Sequence, residues 1–334
     1  MSFIQKHPKL LLLFAFASIY IIWGSTFLAI SYGLKGFPPF LLSGLRFLIA
    51  GIILLVWRDL KGERTSSFRD WKKNGITGIL ILTGGTGLVT WGEQYITSTE
   101  AAIAIATGPF WFIAIDRKNW KNYFSNISTI AGLIVGFAGL LLFLNDSIHS
   151  AGGAAPKTMR IAAFAVLALS SISWVLGSLY SKHYRATHST FKNISQQLVV
   201  AGVASFIIAT FRGEWHAFPA ATIPVSAWLG LAFLVFFGSI VAYISYIWLL
   251  SVKHPVIVST HTYINPVVAV LAGWLFLNES ISLLQLAGLL VILAGVLLTN
   301  AASYKINKRL VVKIRRASRT LFSSPSGDKY LVDF

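Results

Sequence analysis

The chain has 334 residues, 55% hydrophobic and only 12% charged, with a mean hydropathy of +0.70. Soluble domains carry roughly 25% charged residues, and so much apolar surface cannot face water, which excludes a soluble enzyme, a disordered chain and a nucleic-acid binder with a soluble core. The net charge of +17 marks either a polyanion site or a membrane topology, depending on where the 28 Lys and Arg sit, and the lack of any Cys removes disulfides, thiolate metal sites, iron–sulfur clusters and thiol catalysis.

A helix needs about 20 apolar residues to cross hydrocarbon. Ten such stretches follow one another, at roughly 10–33, 39–57, 74–95, 99–115, 128–144, 161–181, 194–211, 226–250, 256–277 and 281–302. Their continuity argues against a membrane barrel, whose strands alternate over about ten residues. The expected fold is therefore an all-α integral membrane protein with ten transmembrane helices. The first run follows Lys6 and Lys9 like a signal peptide, but it is too long and lacks a small-residue cleavage site, so it reads as an uncleaved span.

Within the first span, Trp23 and Thr26 are amphipathic candidates for a cavity wall. The second carries Arg46, the only basic residue deep in a span. In the third, Thr86 and Thr90 accompany Gly84, Gly85 and Gly87, a pattern that serves helix packing first and cavity contact second. Glu93 ends that span, and since lone buried charges are expensive, an Arg46–Glu93 ion pair is expected, with proton coupling through Glu93 as the alternative. The fourth opens with Thr97-x-x-Glu100, a capping box, and contains Thr107, Gly108 and Pro109. Trp174 and Ser178 lie in the sixth, and Tyr243 and Tyr246 in the eighth; aromatic faces with polar edges suit planar, amphipathic or cationic solutes, and packing is the bland alternative for each alone. In the ninth, His261 and Asn265 share one face, with Pro266 next. Pro109 and Pro266 each remove a backbone hydrogen bond, marking either a binding site or a mere kink. The scattered His residues argue against a metal site. The basic tail, 305–334, reads as a solvated cytoplasmic anchor or a segment lying on anionic lipid.

Orientation follows from charge. With the N-terminus in the cytoplasm, 23 of the 28 Lys and Arg fall on the cytoplasmic side, only Lys35, Lys157, Arg160 and Arg212 fall opposite, and Arg46 is within a span. This predicts both termini inside. The chain also repeats: Ala131-Gly132-Leu133 through Leu142 matches Ala287-Gly288-Leu289 through Leu298 at eight of twelve positions, and Pro109/Pro266 and Trp23/Trp174 recur at similar offsets. Two five-span halves, 1–150 and 151–304, must point in opposite directions, which is the inverted repeat of alternating-access transporters.

These stretches resemble the EamA-type family of the drug/metabolite transporter superfamily. The likeness rests on Ile22-Trp23-Gly24-Ser25-Thr26-Phe27, Pro38-Pro39 with Arg46-Phe47, Thr90-Trp91-Gly92-Glu93-Gln94-Tyr95, and Ala101-Ala102 with Pro109. In the second half it rests on Ser173-Trp174, Gly177-Ser178, Phe237-Gly238-Ser239, Ala242-Tyr243, Asn265-Pro266-Val267, Asn278-Glu279 and Ala287-Gly288, so that about 10–302 is covered. The resemblance implies ten helices around a central cavity and export of amino acids, other small metabolites or drugs. One departure stands out: the loop Asp116-Arg117-Lys118-Asn119-Trp120-Lys121 holds no first-half counterpart of Glu279.

The leading expectation is a secondary exporter of small amphipathic metabolites in the bacterial inner membrane. It needs no cofactor and no nucleic acid, and it is embedded in the lipid bilayer. No phosphate-binding loop points to ATP, so a proton gradient or downhill efflux remains, and monomer and homodimer stay open. No nucleophile or metal constellation suggests an enzyme. A sugar-phosphate or nucleotide-sugar exchanger is the alternative, disfavoured because Arg46 is the lone intramembrane cation, and a non-transporting membrane scaffold is the third option, against which the inverted repeat argues.

Overall fold

The computed structural model describes residues 8–63, 67–149, 155–183, 189–218, 222–253, 258 and 261–298. The basic tail lies outside these residues. Helices account for the described structure, with no strand among them. Eight are long and apolar enough to cross a membrane: α1 Leu10–Gly33, α2 Pro39–Leu60, α3 Phe68–Gly92, α4 Ser98–Ile115, α5 Ile127–Ile148, α6 Lys157–Lys182, α7 Thr190–Phe211 and α8 Val225–Val252. Two are shorter in their described parts, α9 His261–Leu277 and α10 Leu283–Leu298. The outer faces carry exposed apolar side chains, Ile21, Ile52, Ile134, Leu169, Ile207, Phe236, Leu271 and Leu290 among them. Such a girdle is stable only against lipid.

The helix starts follow from local chemistry. Ser67 and Asp70 form a capping box at α3, and Thr97 and Glu100 form the expected one at α4. Three helix ends turn through a left-handed residue, Gly62 (φ 73°), Gly213 (φ 69°) and Asn278 (φ 54°), the only positive φ values among the described residues. Gly and Asn tolerate this conformation where other residues strain. Each is followed by a glutamate, and each glutamate turns back onto the N-terminus of a helix in the other half of the chain. Glu63 accepts from Ser189 N (2.9 Å) and Ser189 Oγ (2.9 Å) at the start of α7. Glu214 accepts from Phe40 N (2.9 Å) and Leu41 N (3.0 Å) at the start of α2. Glu279 accepts from Ser98 N (3.0 Å), Ser98 Oγ (2.8 Å) and Thr99 N (3.0 Å) at the start of α4. A helix N-terminus leaves its first N–H groups unpaired and carries partial positive charge, so a carboxylate there satisfies both needs.

Small residues set the depth of packing. A Cβ on Gly44 would meet the Phe206 ring at 2.5 Å, on Gly51 Val199 N at 2.7 Å, and on Gly202 Leu48 N at 2.7 Å. Numbers fall along α7 as they rise along α2, so the two run antiparallel in close contact. The same holds for α5 and α10: Gly139 lies against Ile292, Gly288 against Phe143 and Gly295 against Gly136. Close backbone approach through small residues is how helices associate without a hydrophobic drive. At the end where α4 and α6 begin, Arg160 pairs with Glu100 (2.6 Å), both buried, and also donates to Ser147 O. Gln285 Nε2 joins α10 to Ser147 Oγ (3.1 Å).

Three segments widen to π-helix, Ser18–Ile22 in α1, Ile79–Gly87 in α3 and Leu234–Ala242 in α8. The latter two have equal length at equivalent places in the two halves. Wide turns of this kind shift a helix face and concentrate at functional sites. Their carbonyls find partners on neighbouring helices: Ser173 Oγ donates to Leu80 O (2.7 Å), Ser170 Oγ to Gly85 O (2.7 Å) and Trp23 Nε1 to Gly238 O (3.3 Å).

A leucine at Gly202 must displace the Leu48 backbone, and overpacking of this kind costs about 1–3 kcal/mol. Gly202→Leu should lower the melting temperature of the purified protein, while Val203→Leu on the exposed face should not; equal melting of the two would contradict the contact. Glu63 gives a pH-dependent signature. Burial pushes its carboxyl up, but Ser189 and Arg58 outweigh burial and hold it below its ordinary value. A depressed carboxylate stabilises the fold above its unfolded value and loses that contribution as pH falls through the folded one. The melting deficit of Glu63→Gln should thus be largest near neutrality and shrink in acid; a deficit that grows in acid would contradict the clasp.

Candidate functional site

A cavity of about 1050 Å³, its mouth included, lies where α1–α4 meet α6, α8 and α9. Of the sequence candidates it is lined by Trp23, Thr26, Arg46, Thr86, Pro109, Trp174, Tyr243, Tyr246, His261 and Asn265. Thr90, Thr107, Ser178, Pro266 and Glu93 lie off the lining. Thr90 Oγ1 donates to Thr86 O (3.1 Å), while Val89 takes the wall position. Thr107 Oγ1 bonds Ala104 O (2.8 Å) where α4 breaks ahead of Pro109. Ser178 stands behind the wall, 3.1 Å from the Tyr246 hydroxyl. Pro266 is buried inside α9 away from the cavity.

The core of the site is aromatic. Trp23 meets Trp174 edge-on at 5.4 Å, Tyr246 at 5.0 Å and His261 at 5.3 Å. Trp174 and Tyr246 are 5.5 Å apart, and the indole N–H donates to the Tyr246 hydroxyl (3.2 Å). The two tryptophans are placed reciprocally. Trp174 rests on Gly85 of the α3 π-helix, where a Cβ would meet its ring at 2.9 Å, and Trp23 bonds the carbonyl of Gly238 in the α8 π-helix. Each half thus sets its tryptophan on the wide turn of the other.

Polar groups are mostly committed to structure. Tyr243 donates to Gln197 Oε1 on α7 (2.6 Å). His261 Nδ1 donates to Val258 O (2.9 Å). The Asn265 amide, in the orientation that satisfies its neighbours, donates to Ile19 O and Tyr20 O (3.0 Å each) in the α1 π-helix. Asn265 therefore fastens α9 to α1.

The expected Arg46–Glu93 ion pair is not formed. Arg46 Nε donates to Ser239 Oγ (2.7 Å) on α8, and Glu93 Oε2 accepts from Ser31 Oγ (3.2 Å) on α1. Position along a span puts Arg46 about two turns in and Glu93 at the end, on the same side of the bundle, but does not say which way either faces. The π-helix of α3 precedes Glu93, and each inserted residue rotates the remainder of the helix by about 100°. Several wall residues escaped sequence reasoning: Ser239, Ser170, Ser171, Phe112 and Thr262. Gly238-Ser239 was the available signal, a small pair matching Gly84-Gly85 of the third span.

Removing the Tyr246 hydroxyl leaves the Trp174 N–H without its acceptor, at a cost of about 1 kcal/mol. Tyr246→Phe should melt slightly earlier and alter tryptophan emission, while Tyr20→Phe leaves emission unchanged; identical spectra for native protein and Tyr246→Phe would contradict the bond.

Comparisons with known proteins agree with this architecture. The EamA-like transporter family matches twice, over residues 9–145 and 161–301. The uncharacterized inner membrane transporter YedA of Escherichia coli is 32% identical over 93% of this chain and 97% of its own. The uncharacterized transporter YoaV of Bacillus subtilis is 25% identical over 84% and 93%. A WAT1-related chloroplastic protein of Arabidopsis thaliana is 25% identical over 85% and 68%. A solved crystal structure shares the fold with a TM-score of 0.62 at 18% identity, covering 89% of this chain and 99% of that one. The chain is an integral membrane protein that belongs to the EamA-like transporter family.

Proposed function

We propose that the protein is a secondary transporter that exports small amphipathic metabolites, amino acids or related compounds with drugs in range, by alternating access. On this reading ten helices span the bacterial inner membrane as two inverted repeats, 1–150 and 151–304, with both termini and the 305–334 tail in the cytoplasm. The observation that carries it is the cavity on the seam between the halves, walled by reciprocally placed tryptophans. Antiparallel packing of α2 on α7 and of α5 on α10 fits inverted repeats. The uneven distribution of Lys and Arg supports the orientation. A sugar-phosphate or nucleotide-sugar exchanger is disfavoured because, among the described residues, Arg46 is the lone Lys or Arg on the cavity wall.

The purified protein in proteoliposomes should exchange radiolabelled amino acids or related solutes from a broad panel. Trp174→Ala removes an aromatic contact worth about 1 kcal/mol and should cut exchange roughly fivefold. Absence of flux for every solute in the panel would overturn the transport reading.

A further inference from the structure

Arg46 is the cavity feature that structural bonding does not account for. It is 4% exposed and belongs to the wall. Its Nε reaches Ser239 Oγ, its Cζ lies 5.2 Å from the Phe47 ring, and its Nη1 is buried without a partner. Both of these neighbours are neutral. Glu93 acts on it only at a distance; its Oε2 accepts from Ser31 and its Oε1 is buried without a partner. A guanidinium stays charged at working pH and presents a planar fork suited to a carboxylate. Among the described residues no Asp or Glu is found on the cavity wall. The guanidinium also adjoins the aromatic cluster, because Gly238 touches both: a Cβ there would meet Arg46 Nη2 at 2.9 Å, and its carbonyl accepts from Trp23.

We propose that Arg46, positioned by Ser239, is the docking point for a substrate carboxylate, with the substrate's apolar body against Trp23, Trp174 and Tyr246. This rests on reading the cavity as the transport site and narrows its substrates to carboxylate-bearing amphiphiles. One cation with no second beside it matches one negative charge; a phosphate monoester carries nearly two at neutral pH. A cationic drug finds no counter-charge among the described residues of the wall. Ser239 is a positioning residue: its hydroxyl accepts from Nε and fixes the guanidinium, whose Nη1 has no protein partner.

The test is binding to the full-length protein in lipid nanodiscs, read by tryptophan fluorescence. The probes are 3-phenylpropionate and 4-methylpentanoate, each against its neutral amide. The acids should bind saturably and the amides about tenfold more weakly or worse, the scale of a charge-assisted hydrogen bond. Arg46→Gln should erase the acid–amide difference, Arg46→Lys should retain part of it, and Ser239→Ala should weaken acid binding with the amides unaffected. Equal binding of acid and amide to the native protein, absence of saturable acid binding, or an acid preference that survives Arg46→Gln overturns the proposal. If Arg46→Gln fails to fold, the native comparison and Ser239→Ala decide it. Counterflow of the same acids in proteoliposomes separates the two readings. Selective binding without flux leaves the carboxylate site standing and sinks transport, whereas flux of neutral solutes without acid selectivity does the reverse.

Discussion

A helix end inside or at the edge of a membrane has N–H groups that lipid cannot satisfy, and this protein meets that constraint across its own seam. Glu63 of the first half caps α7 of the second, and Glu214 and Glu279 of the second cap α2 and α4 of the first. Each glutamate reaches its target because the residue before it adopts a left-handed turn. Neither half is complete in hydrogen bonding without the other. The clasps lie at both ends of the bundle, Glu63 at the basic end and the other two opposite, so any motion of one half against the other must load them. The sequence lacks the fourth member that symmetry would call for, since 116–121 contains no glutamate.

The cavity inherits this mutual dependence. Its wall is built on the π-helices of α3 and α8, whose carbonyls are satisfied by α6 and α1. Widening a helix shifts the register of its face and frees backbone for partners, and here those partners come from the other half. Trp23 and Trp174 are thus held by elements that would separate if the halves tilted. The same tilt would move Ser239 relative to Arg46, because the two sit on α8 and α2. The cavity's charge and its shape are both read across the seam.

Much of this was legible in the sequence, for physical reasons. Long apolar runs announce spans because only a helix can bury its backbone in lipid. The Thr97–Glu100 capping box was readable because its partners are three residues apart. The aromatic set was readable because tryptophan and tyrosine deep in a span, at matching places in two halves, must pack on something. What failed was azimuth. Arg46 and Glu93 lie toward the same end of the bundle, but Arg46 faces Ser239 and Glu93 faces Ser31, and nothing local in the sequence reveals the intervening π-helix. The glutamate clasps were also missed, although Lys61-Gly62-Glu63 and Arg212-Gly213-Glu214 repeat the same basic-Gly-Glu pattern after α2 and α7. Their targets are more than a hundred residues away, so the motif alone gives a turn and not a partner.

The central claim is that one cavity between the halves opens to each side of the membrane in turn. The native chain has no cysteine, so a single introduced thiol reports without background. Ser171 lies on the cavity wall, and its hydroxyl only bonds back to Leu167 O, so Ser171→Cys is a mild change. A membrane-impermeant thiol reagent added from either side, to oriented vesicles, should label this one position in both experiments. Labelling from one face alone under all conditions would contradict the account.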